Sequence, residues 1–110
     1  MIPTDNIWLV STEVRASTIS GNGRFAAVDI NTDTIVCILN GNVTPLDGIH
    51  LPIAGTGYCI QCPNTMINHS RSPNLVLHGQ ILFKSNCTIA AGTELTLDYR
   101  TLTKTVFDYT

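Results

Sequence analysis

The chain contains Ile67-Asn-His-Ser-Arg-Ser-Pro-Asn74 and, beginning eighteen residues after Asn74, Gly92-Thr-Glu-Leu-Thr-Leu-Asp-Tyr99. The first segment contains an Asn-His pair and a Ser-x-Pro-Asn turn. These residues provide several side-chain hydrogen-bond donors and acceptors in a short loop between predicted strands. The second segment combines a turn at Gly92 with alternating residues that predict a half-buried strand ending at Tyr99. These two segments, in this order, decide the fold and indicate the function.

The composition of the 110-residue chain favours a single, mostly β domain. Charged residues make up 13% of it, against ~25% in typical globular domains, and Thr and Asn supply much of the remaining polarity. The net charge is −2 with no run of Lys or Arg, so no direct nucleic-acid interface is indicated. No apolar run reaches the ~18 residues of a membrane span and the N-terminus lacks a secretory pattern, so we expect an intracellular, non-membrane protein.

Short apolar runs separated by turn residues predict several small strands and almost no helix. We expect strands over residues 7–10, 24–28, 34–39, 57–62, 75–78, 80–84 and 94–99. Asn40-Gly41 predicts a turn. The stretch from Pro63 to Ile67 favours one helical turn with Pro at its start.

The four cysteines, Cys37, Cys59, Cys62 and Cys87, do not form a metal or disulfide framework by spacing. Cys59-Ile-Gln-Cys62 has zinc-knuckle spacing, but no second pair follows it, and His69 is the only further ligand type nearby. Cys37 and Cys59 lie within apolar alternation, which is typical of small buried core residues. We therefore assign no metal ligands.

A third segment, Ser20-Gly-Asn-Gly-Arg-Phe-Ala26, places two glycines one residue apart. Such a turn lets the backbone approach a ligand and offer main-chain groups to it. An isolated Gly-x-Gly is more often a plain hairpin turn, and no third Gly or helix pattern completes a dinucleotide fingerprint here. The segment gains weight only from the two motifs that follow it along the chain.

Together the three segments resemble the motifs of SET-domain protein lysine methyltransferases. The resemblance covers about residues 6–99, so we expect one SET domain over residues 1–110, with a tail over 100–110. It implies several small β-sheets, little helix, and a pseudoknot-like crossing of the Asn-His and C-terminal segments. The stretch between Leu39 and Tyr58 is short and no Cys follows Tyr99, so the chain is similar to minimal single-domain members of viral, phage or bacterial type.

The resemblance also assigns roles to individual residues, with S-adenosylmethionine as the implied cofactor. Tyr99 is implied to be catalytic, its hydroxyl directed at the transferring methyl. The implied cofactor-binding residues are Gly21, Asn22, Gly23, Asn68, His69 and Tyr99. The implied walls of the substrate channel are Tyr58, Ile67, Val106 and Phe107, with Leu102 and Tyr109 as further candidates in the tail.

The implied activity is in-line methyl transfer to a neutral lysine amine of a protein or peptide substrate. A desolvated channel next to a positive charge disfavours the ammonium form, so neither Asp98 nor His69 is assigned as a base. The alternative is a SET-fold binding module that is inactive alone or is completed by a partner or second subunit, which the short insert favours. Exposed sheet edges in so small a fold indicate a possible homodimer.

Overall fold

The computed structural model describes residues 5–53, 55–79 and 81–100. These residues form eleven strands in four sheets. In chain order the strands are β1 (Ile7–Trp8), β2 (Thr12–Ala16), β3 (Asn22–Ala26), β4 (Ile35–Ile38), β5 (Asn42–Pro45), β6 (Leu51–Ile53), β7 (Tyr58–Gln61), β8 (Asn68–His69), β9 (Leu75–His78), β10 (Leu82–Ser85) and β11 (Thr96–Leu97). The mostly β architecture in several small sheets confirms the sequence prediction. None of the described segments forms a helix long and apolar enough to cross a membrane.

A four-stranded antiparallel sheet in the order β1-β4-β10-β9 carries the core. Cys37 pairs with Trp8 on one side and Phe83 on the other, and it is fully buried, as its apolar surroundings predict. Burial raises the pKa of its thiol to about 12. The core continues through a bridge between Ile30 and Ile89 and through the buried side chains Val36, Leu75, Leu95 and Leu97.

Two smaller sheets flank this core. The β2–β3 hairpin pairs Ala16 with Asn22, and its turn is closed by the Ser17 N–H donating to the Gly21 carbonyl at 2.8 Å. A three-stranded sheet in the order β5-β7-β6 occupies the region between Leu39 and Cys62. We refer to this three-stranded sheet as the insert sheet.

The two motif segments lie side by side, because β8 and β11 form a parallel pair with Thr96 opposite Asn68. The Asn74 side chain stabilises this crossing of the two segments. Its amide N–H donates to the Glu94 carbonyl and its amide oxygen accepts the Thr96 N–H, both at 2.8 Å. The Ser70 N–H extends the pairing to the Leu97 carbonyl at 3.1 Å. The crossing therefore brings the Asn-His pair beside the end of the C-terminal segment.

Several local predictions are wrong. Residues 94–99 do not alternate in burial: residues 95–98 are all buried, because β11 pairs with β8 and packs against β9. Residues 63–67 contain no helical turn, and Met66 has a φ of 63° instead. Asn40-Gly41 connects strands of two different sheets rather than closing a hairpin.

The sequence also did not predict β2, β5, β6 or β8. Pro45 and Pro52 lie inside β5 and β6, and a proline argues against a strand because it cannot donate a ladder hydrogen bond. Both strands are edges of the insert sheet, where one side of the backbone needs no partner. The prolines are therefore compatible with these positions.

Candidate functional site

Tyr99 lies two residues beyond the end of β11 and contacts the Asn-His segment. Its hydroxyl donates a hydrogen bond to the Ile67 carbonyl oxygen, and its backbone N–H donates to His69 Nδ1 at 3.0 Å. The Tyr99 and His69 rings lie 5.2 Å apart, centroid to centroid, with a tilt of 52°. Burial raises the pKa of the Tyr99 phenol, so the hydroxyl stays protonated near neutral pH.

The hydrogen bond from Tyr99 also fixes the tautomer of His69. Because Nδ1 accepts the Tyr99 N–H, the neutral ring carries its proton on Nε2. In this tautomer the 3.9 Å approach between His69 Nδ1 and Asp98 Oδ1 is not an ion pair. Asp98 instead pairs with Arg100, whose Nη2 lies 2.6 Å from Oδ2, and the Arg100 hydrogen bonds lower the pKa of Asp98 to about 2.

The side chain of Asn68 connects the Asn-His segment to the β2–β3 hairpin. Its amide nitrogen lies 2.8 Å from Glu94 Oε2, 3.1 Å from Ser17 Oγ and from the Ser20 carbonyl, and 3.3 Å from the Asn22 carbonyl. The amide oxygen Oδ1 accepts no hydrogen bond from any residue that the structure describes. Asn68 therefore offers a fixed, unused acceptor at the junction of the two segments.

Glu94 is a part of this junction that the sequence analysis missed. Ser17 Oγ lies 2.8 Å from Glu94 Oε1, and the opposite carboxylate oxygen accepts the Asn68 bond. Gly23 packs directly against the pair: a Cβ on Gly23 would lie 2.3 Å from Glu94 Oε2 and 3.1 Å from Asn68 Nδ2. The only sequence signal was the Glu within the Gly-x-Glu-Leu-Thr motif, and no local pattern indicates that it pairs with Ser17.

Gly21 and Gly23 are glycines for different reasons. Gly21 has a φ of +44° with nothing within 4 Å of a hypothetical Cβ, so its requirement is conformational. Gly23 lies in β3, and its requirement is space beside Glu94 and Asn68. Of the two glycines in the predicted Gly-x-Gly turn, Gly21 therefore forms the turn and Gly23 leaves space for packing.

Arg24 holds the chain that leads into Ile67. Its Nε donates to the Thr65 carbonyl at 2.7 Å, its Nη1 donates to Thr12 Oγ1 at 2.9 Å, and its guanidinium stacks 4.1 Å from the Trp8 ring centroid. Desolvation lowers the pKa of Arg24, although the group stays charged. Arg24 thereby supports the backbone whose Ile67 carbonyl receives the Tyr99 hydroxyl.

Of the remaining predicted site residues, Ile67 lies beside Tyr99 and Tyr58 lies apart from it. Tyr58 is half-exposed on β7 in the insert sheet, and no hydrogen bond or ring contact among the described residues joins it to Tyr99. Ile67 buries its side chain in the core and contributes its carbonyl to the site. Val106 and Phe107 lie outside the described residues, as do Leu102 and Tyr109.

Comparison with protein families assigns this arrangement to a class. The model of the SET domain family matches residues 39–100, more than half of the 110 residues. The chain therefore belongs to the SET-domain family. The matched range contains Asn68, His69 and Tyr99, whereas the Gly-x-Gly segment precedes it.

Comparison with solved structures supports the same fold. The chain is similar to a chain of the humanized mutant of the Chaetomium thermophilum Polycomb Repressive Complex 2 bound to the inhibitor GSK126, with a TM-score of 0.68 and 23% sequence identity. The match covers 82% of this chain and 15% of that chain. At this identity the likeness establishes the fold, which confirms the predicted SET architecture. A comparison with curated protein sequences finds no significant match.

Proposed function

We propose that this chain is an S-adenosylmethionine-dependent protein lysine N-methyltransferase. Membership of the SET-domain family supports the proposal. The single observation that carries it is the position of Tyr99, whose hydroxyl donates to the Ile67 carbonyl directly before the Asn68-His69 pair. A phenol, a main-chain carbonyl and a fixed amide acceptor are thus gathered at one crossing of the chain.

The hydrogen-bond acceptors around Asn68 fit the methionine end of the cofactor. That end carries an ammonium group, which needs acceptors, and Asn68 Oδ1 is an unused acceptor among the described residues. The Glu94 carboxylate on the same amide adds negative charge, which favours a cationic ligand. Gly21 and Asn22 are exposed at the hairpin turn and offer further main-chain groups. The bound cofactor supplies an electrophilic methyl group on a sulfonium.

The residues of the site align the reactants and do not supply a base. The Tyr99 phenol is held protonated, His69 Nδ1 is occupied by the Tyr99 N–H, and Asp98 is ionised but committed to Arg100. The lysine must therefore lose its proton to solvent before transfer, which costs about 4 kcal/mol near pH 7.4, from a pKa of about 10.4 at ~1.36 kcal/mol per unit. Desolvation next to a positive charge lowers that cost. Alignment supplies the remaining advantage, as in other in-line displacements.

The substrate class that follows is a protein or peptide segment presenting a lysine. We propose that substrate selection lies in the insert sheet and in the residues that follow Arg100. Formation of a homodimer, with a second copy of the chain at an exposed sheet edge, stays a prediction.

Calorimetric titration with S-adenosylhomocysteine, followed by transfer of labelled methyl to lysine-containing peptides, tests this function. We expect the wild-type chain to bind, Asn68→Ala to lose binding, and Tyr99→Phe to bind but lose transfer. His78→Asn, exposed on β9, serves as the control and should behave as wild type. Failure of the wild-type chain to bind would overturn the proposal. Binding without transfer to any peptide would favour the alternative, a SET-fold binding module or a partner-completed enzyme.

A further inference from the structure

Three potential metal ligands converge in the insert sheet, outside the Tyr99 cluster. They are Asp47, His50 and Cys59, and one ligand atom from each lies within 4.8 Å of the others. Asp47 and His50 belong to the loop between β5 and β6, whereas Cys59 lies on β7 opposite Thr44 and Pro52. The convergence joins the loop to the central strand of the sheet.

The loop already holds its two ligands in a defined arrangement. Asp47 Oδ1 accepts the backbone N–H groups of Ile49 at 2.8 Å and His50 at 2.9 Å. Its other oxygen lies 2.5 Å from His50 Nδ1. These hydrogen bonds orient the Asp47 carboxylate within the loop without any contribution from a bound ion.

Cys59 is buried in an unusual environment for a core residue. Its side chain is fully buried, yet it does not belong to the main hydrophobic cluster. Its sulfur lies 3.3 Å from Thr44 Oγ1 and 3.5 Å from the Pro45 carbonyl, so its neighbours include polar atoms. The interpretation of Cys59 as a small buried core residue is therefore confirmed, although Cys59 lies outside the main hydrophobic cluster.

The insert sheet has little apolar burial to stabilise it. Of its described side chains, the buried ones are Pro52, Cys59 and Ile60, while Val43 and Tyr58 are about half exposed or more. Small sheets with so little core usually need an additional constraint. A metal ion that connects the β5–β6 loop to β7 would provide one.

We propose that Asp47, His50 and Cys59 bind a divalent ion of the zinc class. One thiolate, one imidazole and one carboxylate form a mixed ligand set that suits Zn²⁺, with a fourth position open to water. Bond lengths of about 2.0–2.3 Å require tetrahedral ligands to lie roughly 3.3–3.7 Å apart. The widest separation, up to 4.8 Å, must shorten by about 1 Å, whereas Asp47 Oδ2 and His50 Nδ1, which lie 2.5 Å apart, must separate by about 1 Å; side-chain rotation of these two loop residues supplies both changes. On binding, the Cys59 thiol releases its proton to solvent and its sulfur replaces a water of the hydrated ion.

This site does not use the Cys59-x-x-Cys62 spacing. Cys62 is half-buried and packs against the main core, and burial raises the pKa of its thiol. The two cysteines therefore provide a matched comparison within one strand region. These three residues lie in a different sheet from Asn68 and have no part in the Tyr99 contacts, so the proposed metal site is independent of methyl transfer.

Titration of the purified, metal-free chain with Co²⁺ tests the site, because a thiolate ligand produces a sulfur-to-cobalt charge-transfer band. We expect one Co²⁺ per chain with this band, displaced by Zn²⁺ and reversed by a chelator. Cys59→Ser should abolish the band, whereas Cys62→Ser and Cys87→Ser should keep it. His50→Ala should weaken Co²⁺ binding at least tenfold while leaving the thiol in place.

Thermal unfolding with and without Zn²⁺ provides a second measurement. The midpoint of wild-type unfolding should rise with Zn²⁺, and this rise should disappear in His50→Ala. His50 is partly exposed, so its replacement disturbs the fold less than replacement of the buried Cys59. Absence of the band in the wild-type chain, its survival in Cys59→Ser, or its loss in Cys62→Ser would each overturn the proposal. Binding of S-adenosylhomocysteine should be the same in wild type and His50→Ala, so that failure of one proposal is distinguishable from failure of the other.

Discussion

Replacing Gly23 with alanine places a methyl group where the structure has no room for one. The new Cβ would lie 2.3 Å from Glu94 Oε2, against the 3.4 Å at which ordinary contacts begin. The carboxylate oxygen must therefore move by about 1 Å, which breaks its 2.8 Å hydrogen bond to Asn68. The second contact, 3.1 Å to Asn68 Nδ2, discourages a smaller rearrangement.

The cost follows from the bond that is lost. A hydrogen bond to a charged group contributes about 1.5–3 kcal/mol, and replacing Gly by Ala recovers roughly 0.5 kcal/mol from the unfolded chain. We expect Gly23→Ala to lower the free energy of unfolding by about 2 kcal/mol, which corresponds to a fall of roughly 10 °C in Tm for a domain of this size. Urea denaturation followed by circular dichroism measures it as a lower midpoint at unchanged slope.

A double-mutant cycle isolates the cause. Glu94→Ala removes the atom with which the new methyl group collides, so Gly23→Ala should cost less than about 0.5 kcal/mol in that background. Gly21→Ala is the matched control, because it adds a methyl group in open space and should show only the strain of a positive φ, about 1 kcal/mol. An unchanged cost of Gly23→Ala in the Glu94→Ala background would refute the packing argument.

Three further predictions concern the support of the fold and site. Gly41→Ala should destabilise by more than about 3 kcal/mol, because its Cβ would lie 2.0 Å from the Gln61 carbonyl oxygen and a backbone atom cannot rotate away; urea denaturation measures the loss. Arg24→Met should keep the apolar stem but leave the Thr65 carbonyl without its donor, at a cost of about 1–3 kcal/mol in thermal unfolding. The folded-state pKa of Asp98 is depressed to about 2, so its contribution is complete above the unfolded value of about 3.9 and is lost as pH falls towards the folded value. Asp98→Asn should therefore flatten the acid limb of a stability–pH curve measured by urea denaturation.

Matched variants separate these causes from general sensitivity. Gly48→Ala places its Cβ in open space and should cost only the strain of a positive φ. If Gly41→Ala destabilised the fold no more than Gly48→Ala does, the proposed collision with the Gln61 backbone would be contradicted. Asp33 is the comparison for the acid limb: its hydrogen bond with Lys84 also lowers its pKa, so Asp33→Asn should flatten the limb too, but less than Asp98→Asn. If Asp33→Asn and Asp98→Asn changed that limb equally, the special role of the Arg100 pair would be refuted.

The sequence predicts the class of fold and the principal residues of the site because three local motifs carry them. Asn68, His69 and Tyr99 do lie together, and β9 lies where the apolar run over 75–78 predicts it. Local sequence patterns do not show which residues, far apart in the chain, form hydrogen bonds with each other. Glu94 meets Ser17 across 77 residues of chain, and no periodicity anticipates such a pair.

Other differences have equally physical reasons. Proline disfavours central strands but is compatible with edges, and whether β5 and β6 are edges depends on the whole sheet. Met66, which has a positive φ, lies between two residues held by tertiary contacts, because Arg24 binds the Thr65 carbonyl and Tyr99 binds the Ile67 carbonyl. The channel residues predicted in the tail remain predictions.

The parallel pairing of β8 with β11 has a consequence for how the protein reaches its native state. Two parallel strands cannot be joined by a tight turn, and here the connection includes the whole β9–β10 hairpin. Closing that loop costs entropy before the β8–β11 pairing contributes any stabilisation. The β9–β10 hairpin is therefore expected to form early and the β8–β11 pairing late. We therefore expect the Tyr99 hydroxyl to meet the Ile67 carbonyl late in folding, so that an incompletely folded chain can have its antiparallel sheets but no site.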